Sequence, residues 1–325
     1  MLYEASAPGS TMLFGEHAVL HGHTGIASAI NKRVTVTVSS STDSNCHIRS
    51  DKFSEYSFSL DAEYVSAEHR FSYILSAINV CESKLGLTSP VSIDVVSNMD
   101  ANCGFGSSAA IVVATISAVA KFLETELSKD DLFNLSLNAV HNLHGVGSGA
   151  DIAASVYGGI VALTNHEVET ISARELPAIK LVYCGYKTPT PEVISIVNSK
   201  LEAQNSEVSD VISAIGDNAD DALRVLKLDI AHEQRLRGLG VLMSEGFKLQ
   251  QNLGVSDSNL NKICSTLLAT PNVYGAKISG AGLGDCVIAL CSPDVVCGFE
   301  NSDYLDIPVE LSKVGAEVYV KEAVR

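Results

Sequence analysis

Apolar and polar residues alternate along Arg33-Val-Thr-Val-Thr-Val38 and again along Val91-Ser-Ile-Asp-Val-Val96. A period of two places one face of the chain in a core and the other in water, so both segments predict strands. Between them the spacing changes. Phe71, Ile74, Leu75 and Ile78 fall three and four apart, which predicts a helix over 67–85 with Ser66 as its N-cap. The apolar run 109–120, broken only by Thr115 and Ser117 and closed by Lys121, predicts a buried helix over 107–123. It is well short of the roughly 20 residues that a membrane span needs. The next helix should begin at Ser128, whose partner three residues on is Asp131, and stop near Gly145.

Beyond it, Val156-Tyr-Gly-Gly-Ile-Val-Ala-Leu163 and Lys180-Leu-Val-Tyr-Cys184 read as strands on either side of a polar link at 165–176. The polar link places a domain boundary near 165, giving units 1–165 and 166–325. Helices are expected at about 191–200, 208–227, 229–251 and 257–268, then strands at Cys286–Leu290 and Glu317–Lys321. The sum is an α+β protein in two lobes. No internal repeat or low-complexity segment is visible.

Charge narrows the partners. Lys and Arg number 22 against 38 Asp and Glu, a net charge of -16 in 325 residues, with a pI near 4.9 and mean hydropathy +0.21. Such a surface repels polyanions, which argues against nucleic acid and anionic membrane as partners. Any bound phosphate must then be held by local devices such as helix N-termini and backbone N–H groups. The opening Met-Leu-Tyr-Glu-Ala-Ser-Ala-Pro-Gly carries Glu4 and no cationic region, so no signal peptide is expected. The eight cysteines (46, 81, 103, 184, 264, 286, 291 and 297) form no CxxC pair and sit mostly among apolar neighbours. They read as buried reduced thiols in a cytoplasmic protein. Cys103 alone, beside a glycine cluster, invites the idea of redox control. His21, His23, His69, His141 and His232 show no metal-ligand spacing.

The segment Asn102-Cys-Gly-Phe-Gly-Ser-Ser-Ala-Ala110 carries the most chemistry. Two glycines and two serines stand where a loop enters a long apolar helix. Glycines let the backbone approach a ligand, successive N–H groups form a concave nest, and the helix end adds roughly half a positive charge. A hydroxyl of Ser107 or Ser108 could reach a phosphate oxygen or Mg²⁺. A plain helix cap after a tight turn would leave the same letters. Gly104-x-Gly106-x-x-Ala109 also satisfies the dinucleotide fingerprint, which calls for an acidic residue at a strand end about 20 residues on. Glu124 and Glu126 lie at that distance but in a helix-to-helix connection, and no Gly-Lys-Ser/Thr of a Walker A loop occurs.

Two more glycine clusters stand near the chain ends. Ala7-Pro-Gly-Ser-Thr-Met-Leu-Phe-Gly-Glu-His17 brackets an apolar strand, and Lys277-Ile-Ser-Gly-Ala-Gly-Leu-Gly-Asp-Cys-Val-Ile-Ala-Leu290 lies between an expected short helix and a buried strand. Convergence on one ligand between the lobes gives all three a common reason.

Together the clusters resemble the signatures of the galactokinase, homoserine kinase, mevalonate kinase and phosphomevalonate kinase (GHMP) superfamily over nearly the whole chain. Phe14-Gly-Glu-His-Ala-Val-Leu-His-Gly22 is similar to the mevalonate kinase branch, with support from His144-Gly-Val-Gly-Ser-Gly-Ala-Asp151 and Leu253-Gly-Val-Ser256. The resemblance implies an N-terminal ATP-binding α/β lobe with a mixed sheet and left-handed crossover, and a ferredoxin-like C-terminal α+β lobe. It implies ATP- and Mg²⁺-dependent phosphorylation of the C5 hydroxyl of (R)-mevalonate in isoprenoid synthesis, and leaves a homodimer open. ATP would lie on Gly104, Phe105, Gly106, Ser107, Ser108 and Ala109, with Ser108 also a ligand of Mg²⁺. Asp151 would orient or deprotonate the hydroxyl. Glu16, His17, Thr190 and Ala281 would face the substrate.

The sequence departs from that pattern in three places. The lysine that follows the N-terminal Pro-Gly in these kinases is Ser10 here, at a catalytic position, which leaves Lys187 and Lys277 as candidate cations. The glutamate that binds the metal eleven residues before the catalytic Asp is Val140. The last loop reads Gly-Leu-Gly-Asp where an all-glycine run is usual, and Asp285 is expected to point outward. Three readings follow: a kinase acting on mevalonate, a GHMP kinase acting on phosphomevalonate, a sugar or another mevalonate hydroxyl, or a nucleotide-binding homologue that has lost catalysis.

Overall fold

The computed structural model describes residues 1–51, 53–60, 70–99, 104–172, 175–203, 206–299 and 303–321. Ser66, His69 and Cys103 lie outside these residues. Two sheets organise the chain. The first is mixed and eight-stranded, built from β1 (Leu2–Phe14), β2 (Gly25–Ser40), β3 (Cys46–Ser50), β4 (Tyr56–Phe58), β5 (Val91–Ser97), β6 (Ile160–Thr164), β7 (Glu167–Ile171) and β12 (Glu317–Lys321). Its order is β12-β1-β2-β5-β3-β4, with β6 added to the start of β2 and β7 beyond β6. Among its described pairs only β3 and β5 run parallel. The second sheet is antiparallel, in the order β11-β8-β10-β9, from β8 (Ala178–Tyr183), β9 (Val273–Ser279), β10 (Cys286–Cys291) and β11 (Leu305–Ile307).

Four helices accompany the first sheet: α1 (Ser72–Val80), α2 (Ser107–Phe122), α3 (Lys129–His144) and α4 (Ala150–Tyr157). Four more, α5 (Thr190–Glu202), α6 (Ser206–Lys227), α7 (His232–Leu253) and α8 (Ser258–Ala269), follow β8. The apolar run of α2 is buried from Ala109 through Ala120 except at Ile111, and the helix packs on β1 and β2. Small Ala side chains let this helix lie close to the sheet, which fixes where its N-terminus emerges. The capping box on α3 forms as expected, with Ser128 Oγ accepting from the N–H of Asp131 at 3.1 Å.

Four segments differ from the sequence expectation, the first being the helix expected over 67–85, which runs from Ser72 to Val80 with Phe71 as its N-cap and continues as a π turn over Cys81–Leu85. The run 156–163 is the end of α4 and the start of β6, separated by Gly158 and Gly159 at φ +74° and +64°. The polar link at 165–176 contains β7, joined to β6 by Asn165 and His166, both left-handed, as a tight hairpin turn requires. The residues before the last glycine loop form β9, a strand hydrogen-bonded to β10, not a helix.

The sheets are joined at the beginning of the chain. Ser279 Oγ, at the end of β9, donates to Met12 O at 3.0 Å and accepts from Met12 N–H at 3.1 Å, while Thr11 Oγ1 lies 2.8 Å from it. β1 thus carries its own loop to the mouth of the second sheet. Because α2 leads straight into α3 with Glu124 in the link, no second strand meets the dinucleotide pattern.

Candidate active site

A cavity of about 280 Å³ opens where β1, the starts of α2, α4 and α5, and the β9–β10 loop converge. Of the residues expected to bind nucleotide, Gly104, Gly106, Ser107, Ser108 and Ala109 line it. The Phe105 side chain does not; it is buried at 1% exposure and anchors the loop in the core. Phe105 instead contributes its carbonyl, which accepts from Ser10 N–H at 2.8 Å and ties the loop to β1. A Cβ on Gly9 would collide with that carbonyl, and one on Gly106 with Ser10 Oγ, so glycine is needed for this approach. Gly106 caps α2 at φ +61° without a side-chain hydrogen bond to the first turn. The first N–H groups of a helix have no intrahelical acceptor and concentrate its positive pole, so this end suits a phosphate.

Asp151 lies in the first turn of α4, after the left-handed Gly149, and lines the cavity. It is not the cap itself. Its Oδ1 accepts from Ile152 N–H at 2.9 Å. Burial raises its pKa above the usual carboxylate range, opposed by the Ile152 and Asp151 N–H groups and by the charge of Lys187. A carboxylate so desolvated is a better proton acceptor than one in water.

Glu16 and His17 are buried and line the same cavity. Glu16 is paired with the ammonium of Lys277. His17 Nε2 donates to Ala281 O at 2.7 Å, since a carbonyl can only accept. Burial lowers the His17 pKa, with the Ala281 bond and Glu16 opposing, and so favours the neutral ring. Thr190, the first residue of α5, and Ala281 also line the cavity. Ser10 is buried against the phosphate loop.

The two candidate cations separate clearly. Lys277 is buried, donates to Ile278 O at 2.5 Å and is committed to Glu16. Lys187 lines the cavity.

Asp285 reverses the expectation that it points outward. At φ +70° its side chain turns in, only 8% of the residue remains exposed, Oδ1 accepts from Gly104 N–H at 2.8 Å, and Oδ2 lies 3.1 Å from Lys187 Nζ. Sequence reasoning missed this because a glycine loop gives no local cue to the direction of its next side chain. Val140 presents an apolar wall on α3, and near it Tyr73 Oη meets His144 Nε2 at 2.8 Å. Among the described residues no group of three or more His, Cys, Asp or Glu could hold a metal ion. None of the described helices is long and apolar enough to cross a membrane.

Family models match this chain in two places: GHMP kinases N terminal domain over residues 72–159 and GHMP kinases C terminal over residues 227–296. The mevalonate kinase of Pyrococcus abyssi is 32% identical over 295 residues, covering 88% of each chain. The chain belongs to the mevalonate kinase family of GHMP kinases. It is therefore an ATP-dependent kinase. The crystal structure of Methanococcus jannaschii mevalonate kinase superposes with a TM-score of 0.81 at 24% identity, over 96% of this chain and 98% of that one. That of L. major mevalonate kinase in complex with R-mevalonate gives 0.71 at 21% identity, over 89% and 87%. Both share the two-sheet α+β fold of this kinase.

Proposed function

We propose that this kinase transfers the γ-phosphoryl group of ATP to the C5 hydroxyl of (R)-mevalonate, giving 5-phosphomevalonate for isoprenoid synthesis. The observation that carries this reading is that Asp151 and the start of α2, where no side chain bonds the first N–H groups, line one cavity. Phosphoryl transfer needs positioning and charge neutralisation more than covalent chemistry. The N–H groups at the head of α2 bind phosphate oxygens. Asp151 aligns the C5 hydroxyl; as its oxygen bonds to phosphorus and the bond to ADP breaks, the hydroxyl proton passes to the carboxylate. Neutral His17 and the Glu16–Lys277 pair give the substrate end fixed hydrogen-bonding groups, and Thr190 and Ala281 complete its walls.

Mg²⁺ belongs to the same reading. The Ser108 hydroxyl would hold the ion together with phosphate oxygens and water, since Mg²⁺ commonly keeps several waters, while Val140 offers no donor. When bound, the ion neutralises phosphate charge. The division at 165 into a nucleotide-binding lobe and a C-terminal lobe is likewise proposed: β1 to β6 and β8 to β11 sort on either side of it, while β7 and β12 stay with the first sheet. A cytoplasmic setting is supported by the seven described cysteines, which are buried and linked by no disulfide.

An ADP-release assay with mevalonate, phosphomevalonate and galactose tests the acceptor. Release with mevalonate alone, lost in Asp151→Asn, is expected. Release only with another acceptor moves the enzyme elsewhere in the superfamily, and nucleotide binding with no release from any acceptor makes it a non-catalytic homologue.

A further inference from the structure

The cavity brings three carboxylates, Glu16, Asp151 and Asp285, to a place that must also receive a triphosphate. In a chain of net charge -16 the wider surface gives no relief. Glu16 is neutralised by Lys277, whose ammonium is buried and held by Glu16 and Ile278 O. What remains for the reacting end is Lys187, the one lysine or arginine among the described residues that line the cavity.

Its position is fixed from two sides. The loop that carries it, between β8 and α5, is bonded to the last glycine loop: Asp285 N–H donates to Tyr186 O at 2.8 Å, and Thr188 Oγ1 donates to Leu283 O at 2.5 Å. The Asp285 carboxylate then bridges Gly104 N–H and Lys187 Nζ. One side chain therefore tethers the ammonium to the first residue of the phosphate loop, while the lysine keeps 37% of its side chain exposed. The Lys187 charge also opposes the effect of burial on the Asp151 carboxyl.

Resting on the kinase reading of the same cavity, we propose that Lys187 is a catalytic residue whose ammonium neutralises the transferring phosphoryl group between the start of α2 and Asp151, and that Asp285 is the positioning residue that holds it there. A point charge on a flexible stem suits this work, since it can follow the phosphoryl group as charge shifts toward ADP.

Steady-state kinetics and calorimetry with the full chain test the assignment. Lys187→Met should lower kcat about 100-fold or more while the KM for mevalonate moves less than about threefold, and Lys187→Arg should recover at least about tenfold of the loss. Wild-type protein should bind a non-hydrolysable ATP analogue more tightly than ADP, and Lys187→Met should bring that ratio toward one. Asp285→Asn should lower kcat by roughly tenfold alone and add nothing in the Lys187→Met background, since it acts through the lysine. Lys187→Gln serves if the methionine variant does not fold. A kcat within about threefold of wild type in the Lys187 variants, or an Asp285 effect that adds fully to that of Lys187, overturns the assignment. A wild-type chain that turns over no acceptor instead removes the kinase reading beneath it.

Discussion

Asp285 and Gly104 are 181 residues apart in sequence, yet the carboxylate of one accepts the N–H of the other at 2.8 Å. This bond closes the C-terminal glycine loop onto the phosphate loop. It leaves no space for a side chain at position 104, where a Cβ would collide with both Asp285 oxygens. Gly104→Ala should therefore weaken binding of an ATP analogue at least about tenfold, equivalent to about 1.4 kcal/mol. Adding Asp285→Gly should recover part of that binding, without restoring turnover. Calorimetry on the single and double variants reads both effects.

Asp151→Asn should lower kcat by roughly 10² to 10⁴, the span typical of general acid–base residues. The same substitution should raise Tm at neutral pH. The folded-state pKa of Asp151 lies above its unfolded value because burial disfavours the charge. Between those two values the folded state binds the proton more strongly, so stability falls as pH rises through the window and the charged carboxylate is a cost above it. The asparagine carries no such cost, so its advantage should fade on acidification. In the wild type, kcat/KM should drop as pH falls through a pKa above the ordinary carboxylate range.

The Glu16–Lys277 pair is buried on both sides, with side chains 3% and 2% exposed. Removing one partner leaves a desolvated charge alone, which costs about 3–5 kcal/mol. Lys277→Met should be destabilising by that order in denaturant unfolding. Glu16→Gln with Lys277→Met should lose less stability than the two single losses added together, because neither charge is then stranded.

Ser128→Ala removes the capping box of α3, away from the cavity. It should cost about 1 kcal/mol of stability and leave kcat/KM unchanged, as thermal unfolding and the ADP assay would show together.

Periodicity made much of the fold legible. The strands at 33–38 and 91–96, the buried α2 and the capped α3 were all written in local spacing, and the glycines marked where loops line the cavity. What escaped was long-range or ambiguous. The apolar run 156–163 is too short for its spacing to divide a helix end from a strand start, and only the left-handed Gly158 and Gly159 make the break. β7 is an edge strand exposed at Glu167, Glu169 and Thr170, so it reads as a polar link. At the site, residue types pointed to Asp151, the serines of α2 and the Glu16–His17 pair. The pairing of Glu16 with Lys277 and the inward turn of Asp285 depend on contacts between opposite ends of the chain, which no local pattern encodes.

A crystal structure of this kinase with mevalonate and a non-hydrolysable ATP analogue decides whether the start of α2 and Asp151 serve one transfer. The γ-phosphate is expected against the N–H groups at the head of α2, with the C5 hydroxyl hydrogen-bonded to the Asp151 carboxylate. A nucleotide seated away from residues 104–109, or Asp151 turned from the hydroxyl, would contradict it.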